Sequence, residues 1–91
     1  MNTEQARDMA QVGKALSEPI RVLIVASLTK GPRPVKALSD GLSVTQPAMS
    51  YHLSLLRMAG VVQRVRKGKE IHYSLDLKKL AIVRRFLAGL K

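Results

Sequence analysis

At Gly60 the spacing of apolar residues changes, and that change restricts the fold more than any other feature of the chain. Before it, apolar side chains recur with the 3.6-residue period of helices. After it, VVQRVRKGKEIHYSL alternates with period two and reads as a hairpin turning at Lys67-Gly68-Lys69. From Leu77 to Leu90 the helical period returns, with Leu80, Val83, Phe86, Leu87 and Leu90 apolar. A single hairpin is marginal alone and must lean on helices. The expectation is a mainly α fold with one small β-hairpin. A three-residue loop gives the hairpin its preferred register, with Val65 opposite Ile71, Val61 opposite Leu75 and Arg66 across from Glu70. His72 then falls on the exposed face.

Upstream, Glu4–Leu16 reads as a helix with a loose apolar stripe of Ala6, Met9, Ala10, Gly13 and Leu16. Ser17 offers a side-chain cap for a second helix, and Pro19 is harmless in its first turn. Ile20, Leu23, Ile24 and Leu28 mark that helix, which Gly31 and Pro32 close. GPRPV is extended, in reach of a short strand. Lys36–Asp40 forms a short helix with a poor N-cap that Gly41 ends, and Leu42–Val44 turns into a helix running from Thr45 to Gly60.

That last helix has two unlike faces. Met49, Leu53 and Leu56 fall at i, i+4 and i+7 and line an apolar side. The other side carries Gln46, Ser50, Tyr51 and Ser54, which hydrogen-bond without formal charge. A merely solvated helix face would carry Lys, Glu and Arg. Gln bonds bidentately to adenine, Ser donates or accepts, and Tyr adds a hydroxyl and a ring for a thymine methyl. Two helices joined by a tight turn, then a basic hairpin, are the outline of a winged helix-turn-helix, in which the second helix enters the major groove. The helix-turn-helix covers about residues 36–59 and the wing about 61–75, within one domain of residues 1–91.

The charge supports the same reading. The chain carries +10 in 91 residues, and residues 57–91 hold ten Lys/Arg against two acids, or +8. A field so lopsided favours a polyanion. Lys36, Arg57, Arg64, Arg66, Lys67 and Lys69 stand where phosphates would be, and Thr45 caps a helix start that offers free N–H groups to one. Catalysis finds no support: the six acids are scattered, and Ser50 and His52, at i and i+2, point to different faces. Cysteine is absent, which removes thiolate metal sites and thiol redox sensing. No apolar run approaches a membrane span, and the polar start MNTEQARDMA is unlike a signal peptide, so a cytosolic protein is expected.

Three segments, LSEPIRVLIVASL, LSDGLSVTQPAMSYHLSLLRMAGVV and RKGKEIHYSL, resemble the ArsR/SmtB family of bacterial and archaeal winged-helix repressors over roughly residues 15–76. The resemblance implies a cytoplasmic homodimer built from the first and last helices, here through Met9, Leu16, Leu80, Val83, Phe86, Leu87 and Leu90. It implies repression through an inverted-repeat operator in double-stranded DNA. It does not carry over metal sensing. The family's Cys-x-Cys positions at the third helix are Pro34 and Lys36, and Leu77–Lys91 contains no Asp, Glu, His or Cys. The two histidines, His52 and His72, are not at ligand spacing, so neither a metal nor another cofactor is expected. His52 is expected to pack or to bond a phosphate. No residue pattern identifies a small-molecule effector. The competing reading is a winged-helix module that docks proteins, against which stand the polar uncharged helix face and the charge.

Overall fold

Four of the five helices begin where a side chain takes up a free backbone N–H. The computed structural model describes residues 1–90. Helix α1 (Thr3–Ala15) opens with a capping box in which Asn2 Oδ1 accepts from Gln5 N–H at 2.8 Å and Gln5 Oε1 accepts from Asn2 N–H at 3.0 Å. Helix α2 (Pro19–Leu28) is capped by Glu18, whose Oε2 accepts from the Arg21 N–H at 3.2 Å. Ser17, the expected cap, instead donates its hydroxyl to the Lys14 carbonyl at 2.6 Å, at the end of α1. The cause is Pro19. As the first helical residue it makes Glu18 the N-cap, and it holds Glu18 in the extended conformation that a residue before proline prefers.

After the short strand β1 (Arg33–Pro34), helix α3 (Val35–Leu42) starts without a side-chain cap, as its sequence led one to expect. Gly41 does not end it. The helix runs on through Leu42, which packs against the core, and stops at Ser43 in the left-handed region (φ 54). Both Ser43 and Val44 return their N–H groups to the Ser39 carbonyl, which tightens the turn into α4 (Gln46–Met58). Gly60, at φ +79, closes α4. There the Val61 N–H donates to the Leu56 carbonyl at 2.9 Å, and the Val61 carbonyl accepts from Asp76 N–H at 2.9 Å. Asp76 in turn caps α5 (Leu77–Ala88).

The hairpin of β2 (Val62–Lys67) and β3 (Glu70–Leu75) has a register one residue away from expectation. Val62 faces Leu75, Val65 faces His72, Arg66 faces Ile71 and Lys67 faces Glu70, which leaves Gly68-Lys69 as a two-residue loop. Gly68 has φ +63, and no non-glycine residue described in the loop has a positive φ, the pattern of a type II′ turn. Hydrophobicity alone does not choose between the registers, because Val61 and Val62 are both buried. Val61 gives its N–H to Leu56, and its carbonyl accepts from Asp76, the partner one step beyond Leu75 in this same register. A slip of one residue exchanges the two faces of β2. His72 is therefore largely covered, with a buried Nδ1 that lacks a partner, while Ile71 is exposed. Strand β1 adds to the outer edge of β3, giving the antiparallel order β1-β3-β2.

The core gathers Val12 and Ala15 of α1, Ile24 and Leu28 of α2, Leu38 of α3, Met49, Leu53 and Leu56 of α4, and Val61 and Val62. On α1 the buried pair lies outside most of the apolar stripe read from the sequence. Ala6, Ala10 and Gly13 are exposed, and Met9 and Leu16 are half-buried.

Candidate nucleic-acid interface

Burial of Met49, Leu53 and Leu56, each at 0% exposure, fixes the rotation of α4. That rotation turns Gln46, Ser50, Ser54 and Arg57 outward in one row, four, four and three residues apart. Tyr51 stands on the neighbouring row, 61% exposed, its ring edge-on to His52 with centroids 5.6 Å apart. All four uncharged residues expected to read bases are thus accessible. Ser54 is the more specialised of the two serines. Its hydroxyl donates to the Tyr51 carbonyl at 2.7 Å, which leaves only its lone pairs for an outside donor.

The start of α4 is narrower as an anion site than its sequence implies. Thr45 Oγ1 accepts from Ala48 N–H at 3.3 Å, and Pro47 has no N–H. Of the first three positions, only Gln46 keeps a backbone donor aimed outward.

The cations divide by partner and by face. Lys36 Nζ lies 2.9 Å from Asp40 Oδ2 on the exposed side of α3, so it arrives with a counter-charge. Arg57 is exposed at the last turn of α4. On the wing, ladder pairing puts Arg64 and Arg66 on one face with Tyr73 and Ile71, while Lys67 shares the other with Glu70. Arg33 of β1 pairs with Tyr73, which also pairs with Arg64, so the two arginines flank one ring across the sheet. The two-residue strand of Arg33 left no period to read, which is why its place on this face was not foreseen. Arg66 Nε donates to the Gly68 carbonyl at 3.2 Å, and Lys69 is exposed in the turn.

Both histidine side chains are largely covered within the fold. His52 Nδ1 is 3.2 Å from Arg21 Nη1 and 4.0 Å from Glu18 Oε2, so it packs α4 against the start of α2. His72 Nε2 lies 3.8 Å from Glu70 Oε1. Among the described residues no three of His, Cys, Asp and Glu come together as a metal site would need. No described helix is long and apolar enough to cross a membrane.

Helix α3, the tight turn at Ser43 and helix α4, backed by a basic three-stranded wing, define a winged helix-turn-helix protein. The chain belongs to the arsR family of bacterial regulatory proteins, whose family model matches residues 18–64. It is similar to the HTH-type transcriptional repressor SmtB of Mycobacterium tuberculosis, 45% identical over 68 residues that cover 75% of this chain and 50% of SmtB. The chain thus spans about half the length of that relative. An ArsR-like transcriptional regulator from Rhodococcus sp. RHA1 superposes with a TM-score of 0.86 at 29% identity, covering 94% of this chain and 81% of the other. The homodimeric winged helix-turn-helix DNA-binding domain of a Mycobacterium bovis protein superposes with a TM-score of 0.77 at 26% identity, covering 97% and 87%.

Proposed function

We propose that this chain is a homodimeric repressor that binds an imperfect inverted repeat in double-stranded DNA, laying α4 in the major groove and the wing along the backbone. Residues 1–91 act as one DNA-binding and dimerisation unit in the cytoplasm, without metal or thiol input. The observation that carries the reading is the exposed row of Gln46, Ser50 and Ser54, with Tyr51 beside it, which hydrogen-bonds but bears no charge in a chain of net charge +10. Such a row reads base edges, while the arginines and lysines around it take phosphates and set register. SmtB's role as a repressor and the dimer of the Mycobacterium bovis domain support the same assignment.

What the single chain leaves uncovered supports dimerisation through α1 and α5. Leu16, Leu80 and Val83 already pack on the chain's own core. Phe86, Leu87 and Leu90 are exposed, as are Ala6, Ala10 and Gly13, while Met9 is half-buried. The radius of gyration, 13.6 Å, exceeds the roughly 12 Å of a compact domain this long, and the long axis reaches 40 Å. Two-fold symmetry would set the two α4 helices about 34–36 Å apart or at a multiple of that. Selection of bound fragments from random-sequence duplex DNA tests the proposal: an enriched inverted repeat is the expected result. Recovery of DNA without a motif would reduce the chain to a non-specific basic binder.

A further inference from the structure

Away from the α4 reading face, a cleft of about 270 Å³ opens between α1, α2 and the C-terminal half of α4. Leu55, Met58 and Ala59 form its apolar side, and Lys14 and Arg21 stand at its polar side. Arg21 is half-buried, held by a 2.6 Å bond from its Nε to the Ala15 carbonyl. Neither cation has a carboxylate partner among the described residues, where the ion pairs are Lys36–Asp40, His52–Glu18, His72–Glu70 and Lys79–Asp8. Glu18 lies near, its Oε2 accepting the Arg21 backbone N–H and standing 4.0 Å from His52 Nδ1, but it makes no ion pair with the Arg21 side chain. A partly buried guanidinium without a counter-ion, set against an apolar wall, is a costly arrangement for a chain to keep. With Nε on the Ala15 carbonyl and Nη1 beside His52 Nδ1, Nη2 is the guanidinium nitrogen left to take a carboxylate.

We propose that this cleft binds a small apolar carboxylic acid as its anion, with the carboxylate on Arg21 and Lys14 and the hydrocarbon against Leu55, Met58 and Ala59. The volume equals the share of roughly nine waters in the liquid, the scale of a ligand with about ten non-hydrogen atoms. Met58, 80% exposed on a flexible thioether stem, is placed to fold over an apolar body. Gln11 and Ala15 line the cleft from the flank of α1 away from Met9 and Gly13, so a partner on the latter stripe leaves the cleft open. Occupancy reaches α4 by contact. Arg21 Nη1 lies 3.2 Å from His52 Nδ1, and the His52 ring abuts Tyr51. A carboxylate that draws the guanidinium toward itself removes that support from the middle of α4. This coupling to DNA rests on the function proposed above; binding itself does not.

The test uses the DNA-free protein and phenylacetate as probe, read by amide chemical shifts. Saturable shifts at Ala15, Leu55 and Ala59 are expected, with a dissociation constant of about 1 mM or tighter. Phenylacetamide, which lacks the charge, and acetate, which lacks the apolar body, should each bind at least about tenfold more weakly. Met58→Glu, at an exposed position, should abolish binding without unfolding the chain, which keeps the test valid if Arg21→Gln fails to fold. No saturation by about 10 mM, equal binding of the amide or of acetate, or undiminished binding to Met58→Glu would each overturn the proposal. A protein that binds phenylacetate but selects no DNA motif would keep the cleft and lose the repressor.

Discussion

Helices α4 and α5 are nearly equal in length, 13 and 12 residues, and both are amphipathic, yet they dispose of their apolar sides in opposite ways. In α4, Met49, Leu53 and Leu56 are wholly inside the chain's own core. In α5 no residue is fully buried, and Leu77, Phe86 and Leu87 meet solvent. The outer faces differ too. That of α4 carries amide and hydroxyl groups up to Arg57, whereas Lys78, Arg84 and Arg85 are exposed on α5. One helix has its rotation fixed by its own fold, so its outer face is presented in a defined orientation. The other has apolar surface that folding of one chain does not cover, and the proposed dimer would use it.

Substitutions separate these two economies. Leu53→Ala should have the largest effect, a loss of roughly 3–5 kcal/mol in folding stability measured by urea unfolding, because the cavity opens at a position with 0% exposure. Leu87→Glu, at 57% exposure, should leave the helical circular dichroism intact but weaken the proposed α5 dimer by about 3 kcal/mol, on the order of 100-fold, in sedimentation equilibrium. A wild-type chain that sediments as a monomer at every concentration would erase the contrast between the helices. Tyr51→Ala is expected to cost about 2 kcal/mol at the selected operator, little on random DNA, and nothing in stability. Equal weakening on both DNAs would show that Tyr51 reads no base. Thr45→Ala removes the acceptor for the Ala48 N–H and should lower stability by about 1 kcal/mol, the smallest of these changes.

The sequence made α4 legible from end to end. Its Thr45 cap, its buried triad and its Gly60 stop are all local signals, and a 3.6-residue period leaves one rotation open. The helix count and the wing followed from the change of period. What escaped depended on contacts between distant segments. The hairpin differs by one because Val61, tied by its N–H to Leu56, stands opposite Asp76 and not Leu75, a fact that no alternation of apolar residues encodes. Ser17 and Gly41 carried the right propensities at the wrong places, outvoted by Pro19 and by the packing of Leu42. On α1, Val12 was left out of the apolar side although it is 1% exposed, since a stripe of small residues competed with it. The cations proposed to meet phosphates could be named from the sequence but not their partners, because whether Lys36 meets Asp40 or Lys67 faces Glu70 is decided by rotamer and register.

The two backbone bonds of Val61 have a consequence for how a dimer would be tuned to its DNA. Through one peptide unit on either side, the last turn of α4 is clamped to the residue that begins α5. In a two-fold pair joined along α5, each reading helix is then a stiff arm of about 17 Å, half the groove-to-groove distance. A shift at the seam that changes the distance between the two helices by about 3.4 Å would equal one base-pair step along the duplex. Small changes at the subunit seam, made far from any base, would alter which operator spacing the protein fits.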